Sequence, residues 1–180
     1  PNFTEENALR EHHKQLLEKR RQLDLLLQNV EKTLAALEGG RAMTDKEKFI
    51  GFKETLIREN EEKYGKEIRE KYGDETVDAS NAKLMGLTEA EYAEMQQLAV
   101  EIIDSLAKAV GNTDPEGPEG RRIAELHRKW LGFTWKEYSK AAHAGLAEMY
   151  VADERFTAYY DQHKEGAAQF LRDAIVAYAR

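Results

Sequence analysis

Apolar residues recur through the first forty positions with a period of seven. Leu9, Leu16, Leu23, Val30 and Leu37 form one line of a heptad, and His13, Arg20, Leu27 and Leu34 stand four positions further on. This pattern predicts a helix whose apolar stripe meets another helix. Nothing in residues 4–37 breaks it, so it would run roughly 50 Å at 1.5 Å per residue. That is too long for one small domain to cover, so the stripe either folds back in part on its own domain or pairs with a second chain. Sustained heptads favour pairing, with Leu9, Leu16, Leu23, Leu27, Val30, Leu34 and Leu37 as the dimerisation seam. His13 and Arg20 within the seam would set register at some cost in stability. Gly39 and Gly40 offer a left-handed cap and a flexible joint. They divide a dimerisation helix, residues 1–38, from a second domain, residues 41–180.

Helical spacing continues beyond the joint. Thr44 and Glu47 form a capping box that opens a helix carrying Phe49, Phe52 and Leu56, with Ile50 and Ile57 widening its apolar face. Residues 59–73 are densely charged and keep only Tyr64, Ile68 and Tyr72 as anchors, which predicts a solvated helix able to order around something bound. Residues 76–87, with Asp78, Ser80, Asn81 and Gly86, predict a loop. A second capping box, Thr88 with Glu91, starts a helix through Leu98, Ile102, Leu106 and Val110. Pro115 and Pro118 mark a loop over residues 112–120, and Glu119 begins a helix through Ile123, Leu126, Trp130 and Leu131 that Gly132 closes. A third box, Thr134 with Glu137, predicts a start for the helix through Ala142, Leu146 and Tyr150. Asp153 caps a short helix, and Gly166 precedes a last one through Phe170, Leu171 and Ile175. No segment alternates as a strand does. The expected fold is all-α, a long N-terminal coiled-coil helix followed by a multi-helix domain.

Composition narrows the function. Of 180 residues, none is cysteine, which excludes disulfide scaffolds and cysteine-ligated metals. The net charge of −7 sets the chain against duplex DNA and anionic membranes. No apolar run is long enough to span a bilayer, and the first residues lack a signal-peptide pattern, so a cytoplasmic location is expected. A start at Pro1 suits an excised fragment or a chain that lost its initiator Met. Glycine-rich phosphate loops, a His-Glu-x-x-His pair and a serine elbow are all missing from the sequence, so binding rather than catalysis is expected.

Two groups could carry that binding. His127 and His143 are either buried imidazoles hydrogen-bonded to the backbone or, alternatively, axial haem ligands on a helix. Trp130, Phe133, Trp135, Tyr138, Tyr150, Phe156, Tyr159 and Tyr160 cluster closely in sequence. Such residues either fill a helical core or wall a cleft for a large apolar ligand.

A specific series runs through the same region: Leu126-His127-Arg128-Lys129-Trp130, Gly145-Leu146-Ala147-Glu148-Met149-Tyr150, Asp153-Glu154-Arg155-Phe156, Tyr160-Asp161 and Gly166-Ala167-Ala168-Gln169-Phe170-Leu171. With the heptad helix before it, this series resembles the C-terminal part of a MerR-type regulator of the TipA class, with its TipAS antibiotic-recognition domain. The resemblance implies a globin-like fold without haem or other cofactor, and a cleft for thiopeptides or other bulky antibiotics. It also implies a homodimer through an antiparallel linker helix, and an upstream winged helix-turn-helix that contacts DNA and serves RNA polymerase as an activator. In the family prototype a cysteine thiol captures thiopeptides; this chain has no cysteine, so the binding it implies is non-covalent. The expected walls are Trp130, Phe133, Trp135, Tyr150, Phe156 and Tyr159, with His127 and His143 as polar contacts. Met85 and Tyr92 are expected on the opposite side, and the segment 49–72 as a flap over the ligand. The rival expectations are a drug-sequestering protein, a haem binder and a coiled-coil adaptor.

Overall fold

A computed structural model describes residues 44–180 together with Leu23, Leu27 and residues 29–34. The chain divides into two compact units, residues 1–49 and 50–180. In the first, Leu23, Leu27, Val30 and Leu34 are helical and expose between 51% and 59% of their surface. Leu9, His13, Leu16, Arg20, Leu37 and the Gly39-Gly40 joint lie outside the described residues.

Seven helices follow among the described residues: α1 Asp45–Tyr72, α2 Asp74–Gly86, α3 Glu89–Ala109, α4 Pro118–Leu131, α5 Lys140–Ala152, α6 Glu154–Asp161 and α7 Ala167–Ala179. Two of the three capping boxes form. Glu47 N donates to Thr44 Oγ1 at 3.2 Å while Glu47 Oε2 accepts from Thr44 N at 2.7 Å, and Thr88 with Glu91 repeats the arrangement at 3.2 and 2.8 Å. Each satisfies two of the amides that a helix start leaves bare.

Two expectations are corrected. Residues 76–87 are not a loop, since α2 occupies most of them. Two of the residues that signalled a loop are instead bound to α1: Arg69 donates to Asp78 at 2.8 Å, as it does to Asp74 at 3.0 Å, and Asn81 donates to Glu61 at 2.9 Å. Gly73, at φ 83°, makes the sharp break that lets α2 turn back along α1. The third box does not cap α5 either. The chain turns tightly after α4, with Trp135 N donating to Leu131 O at 2.7 Å, and the Trp135 carbonyl is taken by Lys83 Nζ at 2.6 Å. A helix begun at Thr134 would need that carbonyl internally. Ser139 caps instead, its Oγ accepting from Ala142 N at 3.0 Å.

The core centres on α7, which packs against α3, α4, α5 and α6, while α3 packs on α4 and α5 on α6. Ile102, Leu106, Ile123, Leu171 and Ile175 fill it, and Ala124, Ala147, Ala168 and Ala174 let the helices approach closely. Asp161, at the end of α6, accepts from Ala168 N at 2.9 Å and so caps α7. Helices α1 and α2 are absent from these close-packed pairs.

Gly120 in α4 is a tight spot, because a methyl group there would run into the Pro115 carbonyl. Gly120→Ala should therefore destabilise by about 3 kcal/mol or more. Gly145→Ala in α5, where a methyl group meets nothing, should stabilise by roughly 0.5–1 kcal/mol. Urea unfolding of the two variants checks both signs.

Candidate ligand-binding site

Helices α4 and α5 carry a row of polar side chains through the domain. Tyr138 Oη lies 3.1 Å from His143 Nδ1, His143 Nε2 lies 2.8 Å from His127 Nδ1, and His127 Nε2 lies 3.2 Å from Tyr150 Oη. The imidazoles lie nearly parallel and edge to edge, their centres 5.0 Å apart, and both are buried. Burial pushes both histidines well below their ordinary value, with His143 acting against His127 and Arg128 against His143. Burial likewise raises the Tyr150 and Tyr160 phenols. At neutral pH the row is uncharged.

Rings continue from its inner end. His127 faces Trp130 at 5.6 Å, Tyr150 touches Phe156 and Tyr160 at 5.7 and 5.0 Å, and Tyr160 meets the half-exposed Tyr159 at 5.1 Å. Near these rings α1 and α2 reach the body through long side chains. Tyr72 Oη is 3.2 Å from Met149 Sδ, Arg155 pairs with Glu67 at 2.6 Å, and Lys83 grips the carbonyls of Gly132 and Trp135, both at 2.6 Å. The Arg155 guanidinium, 5.9 Å from the Tyr64 ring, lowers the Glu67 carboxyl and holds Asp153 down to about 2. Tyr64 and Tyr72 remain exposed on α1. Large rings left in water beside a seam closed by polar side chains suit an apolar ligand with a few polar groups.

The description of the TipAS antibiotic-recognition domain matches residues 64–178. The chain belongs to this family. Among similar proteins, the HTH-type transcriptional activator mta of Bacillus subtilis is 29% identical across 99% of this chain and 69% of its own length. The HTH-type transcriptional regulator SkgA of Caulobacter vibrioides is 30% identical across 100% of this chain and 71% of its own length. The HTH-type transcriptional activator TipA of Streptomyces coelicolor is 31% identical across 95% of this chain and 67% of its own length. A solved structure of TipAS from Streptomyces lividans, in complex with nosiheptide, superposes with a TM-score of 0.57 at 29% identity, covering 77% of this chain and 95% of that one. The all-helical, globin-like expectation thus holds, and the relatives are transcriptional regulators.

Within this TipAS fold the expected site residues fall into four groups. Trp130, Tyr150, Phe156 and Tyr159 belong to the aromatic region around the inner end of the row, with Trp130 and Phe156 half-buried against the core. Phe133 and Trp135 lie in the α4–α5 turn that Lys83 holds. His127 and His143 have all four ring nitrogens within reach of partners in the domain, which leaves none for an axial metal bond in this arrangement. Met85 and Tyr92 mark the α2–α3 junction, where Lys53 Nζ donates to Met85 O at 2.5 Å and Tyr92 lies edge-on to Phe52 at 5.5 Å. Sequence reasoning missed Arg155, Glu67 and Lys83 as fasteners; Arg155 stands inside a quoted family motif without its partner being visible, and no local motif marks Glu67 or Lys83. A shallow groove of about 530 Å³ beside Val100, Asp104 and Arg122 on α3 and α4 is a separate feature.

The buried pair makes stability depend on pH. The unfolded chain protonates these histidines near pH 6.5, whereas both are depressed in the fold. Their contribution is complete above pH ~6.5 and is lost as pH falls, by up to ~2.7 kcal/mol per pH unit for two protons. The lowered Glu67 and Asp153 act only below about pH 4.5. Urea midpoints should therefore drop between pH 6.5 and 5. A flat profile across that window would contradict the depressed pair.

Proposed function

We propose that the chain is the effector-sensing and dimerisation part of a MerR-type transcriptional activator, and that it binds a bulky hydrophobic, thiopeptide-like antibiotic without a covalent bond. One observation carries this reading: the aromatic rings of Tyr64, Tyr72 and Tyr159 stay in water near a seam that Glu67 of α1 closes with Arg155 of α6 and Tyr72 of α1 closes with Met149 of α5. A ligand entering there would meet Tyr159 and Phe156 first. Trp130, Phe133, Trp135 and Tyr150 complete the walls, with His127 and His143 supporting them from behind. The segment 49–72 acts as the flap, and Met85 and Tyr92 back it near its start. The relative solved with nosiheptide supports the ligand class. Because the chain has no cysteine, shape and hydrogen bonding must supply the whole affinity.

The same reading assigns the N-terminal stripe to pairing. Leu23, Leu27, Val30 and Leu34 are helical and exposed, and a second copy would bury them. Binding would bias the dimer between two arrangements, and the linker helices would carry that bias to an upstream winged helix-turn-helix and on to RNA polymerase. Such a protein works in the cytoplasm. Consistent with that, no helix among the described residues is long and apolar enough to cross a membrane.

Nosiheptide at about a hundred times its dissociation constant should stabilise the chain by roughly 2.7 kcal/mol, or about 5 to 10 °C in Tm. Fluorescence of Trp130 and Trp135 should change in parallel, and Tyr159→Ala should weaken binding. Silence from nosiheptide and from a panel of other large apolar antibiotics would sink the ligand assignment. Separately, Leu27→Lys combined with Leu34→Lys should halve the mass seen by light scattering; an unchanged mass rejects the pairing.

A further inference from the structure

The row from Tyr138 to Tyr150 obeys a strict proton count. A neutral imidazole has one N–H and one bare nitrogen, and a single proton lies between His143 Nε2 and His127 Nδ1. Suppose His143 Nε2 holds it. His127 Nδ1 is then the acceptor, so the His127 proton sits on Nε2 and points at Tyr150 Oη, while the bare His143 Nδ1 accepts from the Tyr138 hydroxyl. If His127 Nδ1 holds the proton instead, every assignment reverses. Tyr150 then donates to His127 Nε2, and His143 Nδ1–H donates to Tyr138. No third neutral arrangement keeps all three bonds. The two rings must share one tautomer, and one tyrosine hydroxyl donates inward while the other is free to donate outward.

The two ends of the row sit at different places. Tyr150 lies against Phe156 and Tyr160, its ring 5.0 Å from that of Tyr160. Tyr138 lies in the α4–α5 turn, with the Arg128 guanidinium 4.9 Å from its ring, beside the carbonyls of Gly132 and Trp135 that Lys83 of α2 holds. We propose that the row is a two-state relay, in which the direction of the Tyr150 hydroxyl at the aromatic cluster fixes that of the Tyr138 hydroxyl at the turn anchoring α2. The coupling needs no backbone movement. Its use in sensing rests on the proposed ligand site, whereas the coupling itself stands on the row. A ligand acceptor that draws the Tyr150 proton outward selects Nε2–H on both rings; a ligand donor selects Nδ1–H.

Ring nitrogens of the ¹⁵N-labelled full chain, observed by long-range ¹H–¹⁵N correlation at neutral pH, test this. In the wild type His127 and His143 should show the same tautomer; opposite tautomers overturn the relay, and this measurement needs no variant. Tyr138→Phe leaves His143 Nδ1 without a partner. An orphaned buried N–H is rarer than an under-satisfied acceptor, so both rings should settle as Nε2–H. Tyr150→Phe strands His127 Nε2, and both rings should settle as Nδ1–H. His143 thus takes opposite forms in the two variants, although Tyr150→Phe removes none of its own partners. The same His143 tautomer in both variants overturns the relay, because a space-filling role would not move that proton. With nosiheptide, tryptophan fluorescence reports binding independently. Binding that leaves the His143 nitrogens unchanged overturns the sensing role, and absence of binding overturns the ligand assignment while the tautomer result stands.

Discussion

The domain is organised around two imidazoles that have been taken out of water. An unpaired polar ring nitrogen in an apolar interior costs on the order of 1–3 kcal/mol, so four of them demand partners in fixed places. The fold supplies them along one line: Tyr138 ahead of α5, His143 on α5, His127 on α4 and Tyr150 again on α5. That requirement sets the rotation of both helices about their axes. It also fixes the spacing at which alanines on α5 and α7 can interlock.

Around this line the apolar core closes on α7, while the remaining aromatic rings are left where the core ends. The separation of roles follows from side-chain size. Alanine, isoleucine and leucine fill the close crossings, where little space is left. Trp130, Phe156 and Tyr159, too large for those crossings, collect at the margin, while Tyr150 and Tyr160 are buried in the cluster itself. An aromatic margin therefore lies beside the close-packed core, built on helices that the core already orients.

Much of the fold was legible in the sequence because helical spacing and caps are local signals. Thr88 with Glu91, Asp153 as a cap that accepts from Arg155 N, and the proline-marked loop before α4 needed no tertiary context. Where the reading failed, a distant residue had decided the outcome. Residues 76–87 look like a loop until Arg69 and Glu61 bind their polar side chains, and Thr134 looks like a cap until Lys83 claims the Trp135 carbonyl. The site shows the same limit. The aromatic residues were visible as a cluster and the family motif located them. That His127 and His143 bond to each other depends on helix rotation, which no spacing within α4 or α5 encodes.

Helices α1 and α2 are joined to the body mainly by charge and by hydroxyl, ammonium and guanidinium contacts, not by close helix packing. Contacts of that kind are few and directional, whereas the core around α7 is held by apolar packing over several helices. Each of these fasteners is a single side chain at the end of a long stem, so removing one loosens the attachment of α1 or α2 without touching the apolar side chains that fill the core around α7.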